Sequence, residues 1–510
     1  MGKCSAAQHR LMNTDHRPKA LHMSLRQRLV QSPAQDKAVL APPMTGHALV
    51  TMSTSPPPLI VICAVGLSPE HIGSATPCLS ALASQGSLRP LSPSLPAVTT
   101  TGQTTMLTGV DPSSHGIVAN GWYFRDLSEI WLWRQSESLI QAPLVWQGLQ
   151  RDGRPLRVLK HFWWYAMNTT ADSTVTPRPV YHHDGRKSPD IYASPPSLKE
   201  RLIAKHGTFP LFNFWGPVAD IRSSRWIAES FTTAYDYADH DLALVYLPHL
   251  DYDLQRHGPQ GAHLEGNLRD LDACVALISN HAQARGARVM VVSEYGIEAV
   301  DHGIYINRAL RQRGLLSVTT NAAGELLDPG TSRAFALCDH QLAHVYVRRN
   351  DDVETVAQQL RGIDGIEGVY CGDQRAAIGL DHPRSGEIVC LAAAGTWFAY
   401  DYWLDDRLKP DFAHCVEIHK KPGYDPRELF FDPRGGKGRA LRALIKKKLG
   451  LRYLLNPVPL DDTLVRGSHG RLPSRPESGP LLIAPAGIEV PANPQQRDIA
   501  GIIGTLLTQT

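Results

Sequence analysis

Leu59-Ile-Val-Ile-Cys-Ala-Val65 is an unbroken apolar run closed by Gly66. A strand with no polar alternation must be covered on both faces, as in the interior of a parallel sheet. Asp241-Leu-Ala-Leu-Val-Tyr-Leu247 and Arg288-Val-Met-Val-Val-Ser293 repeat the pattern, and Leu264 to Arg285 between them has helical spacing. Strand, helix and strand joined by a right-handed crossover form the unit of a doubly wound α/β fold. The expectation is therefore a mostly parallel central sheet flanked by helices. In such folds ligands collect beyond the carboxyl ends of the strands, so the residues that follow these runs are the ones to read for chemistry.

Composition narrows the function classes. Of 510 residues, 43% are hydrophobic, enough for a large core and against global disorder. A balance of 52 basic to 49 acidic side chains, net +3, removes the electrostatic argument for a nucleic-acid polymer. No apolar run approaches the roughly 20 residues that a transmembrane helix needs. The 8 cysteines are scattered with no CxxC pair, and Cys63, Cys338 and Cys390 sit in strand-like runs, which points to a reducing, cytoplasmic setting. Residues 1–55 are polar, lack the apolar segment of a secretory signal, and read as a disordered extension, with Met52 as an alternative start.

The expected layout is a core formed by 56–330 and 379–510, with Gly386 to Ala394 as a core strand. A small inserted α+β cap is expected at 331–378, from a strand at Phe335 to Val347, a helix at Asp352 to Arg361 and a strand at Gly368 to Cys371. Residues 422–450 read as a basic loop or helix whose Lys446-Lys447-Lys448 forms a solvated face, and Asp184 to Lys187 as a turn.

Pro96-Ala-Val-Thr-Thr-Thr-Gly-Gln-Thr-Thr-Met-Leu-Thr-Gly109 sets three threonines before a helix-compatible run of small residues. Amide groups at such a helix start favour an anion and assist deprotonation of a hydroxyl; the plain alternative is an N-capping threonine. Gly66-Leu67, Thr76-Pro-Cys-Leu-Ser-Ala-Leu-Ala-Ser-Gln-Gly86, this threonine segment and Ser113-Ser-His-Gly-Ile-Val-Ala-Asn120 follow in an order that resembles the alkaline phosphatase superfamily. Within it, the chain is similar to the type I phosphodiesterase/nucleotide pyrophosphatase family and the related phosphonoacetate hydrolases, from about Leu59 to Ala484.

The resemblance implies hydrolysis of a phosphodiester, pyrophosphate or phosphonate bond in a phosphorylated small molecule. It also implies one or two divalent ions, zinc first and Mg²⁺ or Mn²⁺ otherwise. The nucleophile falls on Thr99, with Thr100 and Thr101 competing. The family's phosphate-binding Asn is Gly102 here, and Gln103 is the substitute donor.

For the metals, Asp251 matches the family's aspartate, but the histidine four residues on is Gln255, a poor zinc ligand, with His257 two positions beyond. The family's Ser-Asp-His-Gly is Ser293-Glu294-Tyr295-Gly296, which leaves Glu294 as a carboxylate ligand; Asp301-His302-Gly303 spells the triplet downstream. His469, in Gly467-Ser-His-Gly470, matches the last metal histidine and pairs with Asp251. Val65 replaces the aspartate of the first strand, and Cys63 reads as structural. Substrate contacts are expected from His419 and Lys420 or Lys421, in a segment that otherwise reads as a polar surface loop, and from some aromatics of Trp122 to Trp133 and His161 to Tyr165.

Thr99, Asp251, Glu294 and His469 should therefore converge in one cleft. A phosphoryl transferase and a non-catalytic binder of a phosphorylated ligand are the alternatives. The sequence leaves oligomeric state open.

Overall fold

The three apolar runs that begin at Leu59, Asp241 and Arg288 each form a strand at the centre of one large sheet. In the computed structural model, which describes residues 56–183, 186–451 and 453–509, Leu59–Ala64 is fully buried and lies parallel between Leu242–Leu247 and Arg288–Val292. The extension at 1–55, the start at Met52 and part of the expected turn at 184–187 lie outside the described residues. The sheet has eight strands, in the order Ile191–Ser194, Ser173–Pro177, Val158–His161, Leu242–Leu247, Leu59–Ala64, Arg288–Val292, Leu481–Ala484 and Ser87–Pro90. The five from Ser173–Pro177 to Arg288–Val292 run parallel, while Ile191–Ser194 and Leu481–Ala484 are antiparallel to their neighbours.

Helices cover both sides. Pro77–Gln85 follows the first strand and stops at Gly86, where a Cβ would lie 2.0 Å from the Ala484 carbonyl oxygen. Its first amides, at Cys78 and Leu79, donate to Asp272 on the Leu264–Ala284 helix at 3.0 and 2.9 Å, so one helix caps another across the chain. Complete burial of a Leu, Ile or Val side chain contributes about 1.5–3 kcal/mol, and the many so buried in the central strands fix their register against slippage.

A second sheet of four antiparallel strands runs in the order Ala334–Asp339, Leu342–Val347, Ile388–Ala392 and Ile366–Cys371. The helix Val353–Arg361 packs on it through Val356, Ala357 and Leu360. Two expectations are corrected here. Ile388–Ala392 belongs to this sheet and not to the central one, so a boundary at 378 would cut through it; an apolar run predicts a buried strand but not its partner. The single strand expected over 335–347 is a hairpin with His340 and Gln341 at its turn, and His340 takes the left-handed backbone (φ 59°) with its ring against His469. No helix of the described residues is long and apolar enough to cross a membrane.

Candidate active site

The helix Thr99–Thr108 begins at Thr99, and its N-cap is Val98, whose side chain offers no acceptor. The positive end of the helix is therefore left for a ligand or a neighbouring group. Thr100 and Thr101 turn their hydroxyls back to the carbonyls of Ala119 and Ile117, at 2.9 and 3.1 Å, whereas Thr99 borders a cavity of about 2530 Å³. Of the three competing threonines, only Thr99 is exposed to a ligand there.

Thr99 Oγ1 lies 3.3 Å from the Tyr295 hydroxyl, which donates to Asp251 Oδ1 at 3.2 Å. Because the Tyr295 proton points to the carboxylate, Thr99 must be the donor in the first contact. Each residue is placed by a strand end. Asp251 lies in the first turn of His249–His257, just after Leu242–Leu247. Tyr295 follows Arg288–Val292, where Ser293 Oγ donates to the Leu67 carbonyl at 2.6 Å and accepts from the Leu481 amide at 2.8 Å.

Burial raises the Asp251 carboxyl to about 6, against the opposing effect of hydrogen bonds from Gln255 and Tyr295. Gln255, one helical turn on, donates Nε2 to Asp251 Oδ2 at 2.7 Å and accepts from the Tyr424 hydroxyl at 2.9 Å. Both of its polar atoms are used inside the protein. The expected metal ligand is a brace for Asp251.

The rest of the site is a column of rings. Tyr295 stacks on His469 with centroids 3.5 Å apart, His469 on His340 at 3.6 Å, and His340 on Tyr424 at 3.7 Å. The phenols at its two ends both reach the Asp251 network, one directly and one through Gln255. His469 Nδ1 donates to the Ala97 carbonyl at 2.8 Å, which leaves Nε2 bare and 4.0 Å from Asp251 Oδ1. Burial lowers the His469 imidazole to about 3, so it is neutral at pH 7 and that contact is not an ion pair.

Glu294 does not join this group. It is buried among Gln103, whose Nε2 donates to Oε1 at 2.8 Å, and the Cys63 thiol, and it does not line the cavity. Burial raises its carboxyl to about 7. Gln103 also accepts from the Trp164 amide at 2.8 Å, so its amide is committed and the expected phosphate contact is corrected. Gly102 packs on Glu294: a Cβ there would sit 3.1 Å from Glu294 Cβ and from Gln496 Nε2, so the asparagine that the resemblance implies at this position would have to shift one or both. Val65, also buried, offers no donor.

Other expectations separate in the same way. His257 lies at the far end of its helix against Asp253 and His263, and His302 is exposed beside Asp301. Lys421 is buried between Asp425 at 2.8 Å and Glu428 at 2.6 Å, so it cannot neutralise a phosphate, and residues 421–429 form a buried segment where a surface loop was the plain reading. His419 and the exposed Lys420 do line the cavity. So do Phe124, Trp131, Trp133 and Trp164, whereas Phe162, Trp163 and Tyr165 are core.

The implied two-ion centre does not fit this donor set. Among the described residues no group of three or more His, Cys, Asp or Glu side chains converges to hold a metal. Asp251 and the bare Nε2 of His469 face one another, but two donors fall short of the three or four that protein zinc sites supply.

Sequence reasoning missed His340, Tyr424 and the pair Asn120–Asp339. Asp339 accepts from the Asn120 amide and side chain at 2.7 and 3.0 Å, and Asn120 Oδ1 accepts from the Thr100 amide at 3.1 Å, which ties the second sheet to the first turn of the threonine helix. The signal available was Asp339-His340-Gln341, a polar triplet interrupting an apolar run.

With this geometry in place, the comparisons with known proteins are specific. Residues 59–425 match the model of the type I phosphodiesterase / nucleotide pyrophosphatase family. Phosphonoacetate hydrolase from Sinorhizobium meliloti 1021, solved in complex with phosphonoformate, superposes with a TM-score of 0.55 at 14% identity, over 89% of this chain and 97% of that one. Murine ectonucleotide pyrophosphatase / phosphodiesterase 5, an inactive variant in complex with AMP, gives 0.52 at 13% identity, over 88% and 95%. The human protein of that name gives 0.51 at 14% identity, over 88% and 94%. The chain is a hydrolase of the type I phosphodiesterase / nucleotide pyrophosphatase family, built on the alkaline phosphatase-like fold.

Proposed function

We propose that the protein hydrolyses a phosphodiester, pyrophosphate or phosphonate bond in a small molecule, with Thr99 as nucleophile and the Tyr295–Asp251 pair as its base. The observation that carries this reading is the directed chain Thr99 Oγ1 to Tyr295 to Asp251 at a helix start that borders the cavity. As Thr99 attacks phosphorus, its proton passes to the Tyr295 oxygen and the Tyr295 proton to Asp251. The leaving group departs in line and takes a proton from solvent. Water then attacks the phosphothreonine and gives up one proton to solvent, while Asp251 returns its proton to Tyr295 and Tyr295 its own to the departing Thr99 oxygen, restoring the hydroxyl. Positive charge at the helix start and Lys420 at the cavity wall oppose the phosphoryl charge.

A second reading keeps one divalent cation, zinc, Mg²⁺ or Mn²⁺, between Asp251 and His469. The bare Nε2 of His469, 4.0 Å from the carboxylate, favours it. The seven unpaired cysteines among the described residues support a reducing compartment, which for this chain we take as the cytoplasm.

The test is hydrolysis of a chromogenic phosphodiester by wild type, Thr99→Ala and Tyr295→Phe, with the metal content of each preparation measured. Turnover that is lost in Thr99→Ala and persists without stoichiometric metal supports the relay. Turnover that scales with bound metal supports the second reading. A ligand that binds without turnover across a panel of phosphoesters would identify a non-catalytic binder.

A further inference from the structure

The helix Gly436–Lys448 is poorly covered. Of its residues only Gly436 and Ala443 are buried, while Leu441, Leu444 and Ile445 are 60, 57 and 52% exposed. The chain beyond it leaves Leu449, Leu451, Leu454 and Leu455 exposed at 67, 55, 59 and 38%. Thus seven of the sixteen large apolar side chains exposed among the described residues fall within positions 441–455. Such a density on a globular surface marks a contact face.

The same segment is strongly basic. No Asp or Glu occurs between Asp432 and Asp461. Arg439 is anchored to Asp432 and to the Asn456 carbonyl, whereas no ion pair is formed among the described residues by Lys437, Arg442, Lys446, Lys447 or Lys448. This combination selects among occupants. A nucleic acid would satisfy the cations and leave the leucines in water. A second copy would set unpaired cations against their own kind. An anionic lipid surface takes up both, as basic amphipathic helices with an apolar stripe do.

We propose that this helix and the leucines that follow it dock the protein on an anionic lipid surface. The catalytic cavity opens at the same place: it runs from Thr99 and Asp251 past Trp133 and Trp215 to Leu444 and Leu454. The substrate class that fits is an amphiphile with a phosphoryl head at Thr99 and a hydrocarbon tail along the aromatic wall. That assignment rests on the hydrolase reading above; the docking does not.

The experiment is co-sedimentation of the full chain with phosphatidylcholine vesicles, with and without phosphatidylglycerol. It is run beside turnover of a short water-soluble phosphodiester and of an amphiphilic phosphodiester embedded in the vesicles. Two surface variants, neither altering a cavity-lining residue, are Leu441→Ser/Ile445→Ser/Leu449→Ser and Lys437→Glu/Arg442→Glu/Lys448→Glu. Wild type should bind the anionic vesicles, more weakly as salt rises. Each variant should bind at least about 10-fold more weakly and lose about as much activity on the embedded substrate, with the soluble one unaffected.

Absence of binding to anionic vesicles, binding unchanged in both variants, or a dimer abolished by the leucine variant in place of vesicle binding would each overturn the docking. Soluble turnover without vesicle binding would leave the hydrolase reading standing and remove the docking. Vesicle binding without any turnover would do the reverse.

Discussion

Tyr295 stands where the family resemblance implies a histidine, and its phenol joins Thr99 to Asp251 in one hydrogen-bonded line. Removing that hydroxyl should test the line without opening a cavity. Tyr295→Phe is expected to lower kcat by about 10²–10³-fold with little change in melting temperature, which steady-state kinetics and calorimetry would check together. In the metal-free relay Asp251 must be ionised, so kcat/KM should fall as pH drops through about 6.

Glu294 offers a separate test by stability. Burial raises its folded-state carboxyl to about 7 from an ordinary 4.5, so the folded protein keeps a proton that the unfolded chain has already released. Its contribution is therefore present below the unfolded value and is lost as pH rises through about 7. Glu294→Gln should be more stable relative to wild type at pH 8 than at pH 5, by about 1–3 kcal/mol in denaturant titration. An unchanged difference between the two pH values would count against a buried, protonated Glu294.

At the scale of elements, the start of the threonine helix is held from three sides. Asn120 takes the Thr100 amide, the 117–119 segment takes two hydroxyls, and Gly102 packs on Glu294. Gly102→Asn, which introduces the residue that the family resemblance implies here, is expected to destabilise by about 1–3 kcal/mol and not to improve turnover, because its side chain would displace Glu294 or Gln496.

Such elements were legible where one local pattern decides the outcome. The central strands and the helices Leu264–Ala284 and Val353–Arg361 fall within a few residues of expectation, since apolar runs and helical spacing are local signals. Thr99, Asp251 and His469 were legible through motif order, and they do meet in one place. Glu294 and Gln103 were not, because a side chain next to a site in sequence can satisfy itself inward, as these two do with each other. Nor could sequence show that His340, delivered by a hairpin turn of the second sheet, completes the ring column.

At the scale of the whole molecule, the described residues from Pro56 onward belong to one compact unit, in which Asp339 and His340 of the second sheet's hairpin meet Asn120 and His469. The segment that carries Tyr424 is held by buried charges. Arg427 pairs with Asp401 at 2.6 Å and with Asp425 at 2.7 Å, all fully buried, and Lys421 bridges Asp425 and Glu428. Removing the central cation leaves buried carboxylates uncompensated. Arg427→Met should cost about 3–5 kcal/mol and loosen Tyr424 from Gln255, seen as lower thermal stability together with reduced turnover.

The central claim is that Thr99 attacks phosphorus, and the most direct measurement is the covalent intermediate. Wild-type protein mixed with an activated phosphodiester, quenched in acid and digested, is expected to carry a phosphoryl ester on the peptide containing Thr99, at Thr99 itself, and Thr99→Ala should carry none and turn over no substrate. Turnover that survives in Thr99→Ala, or an ester on a different residue, would contradict the account.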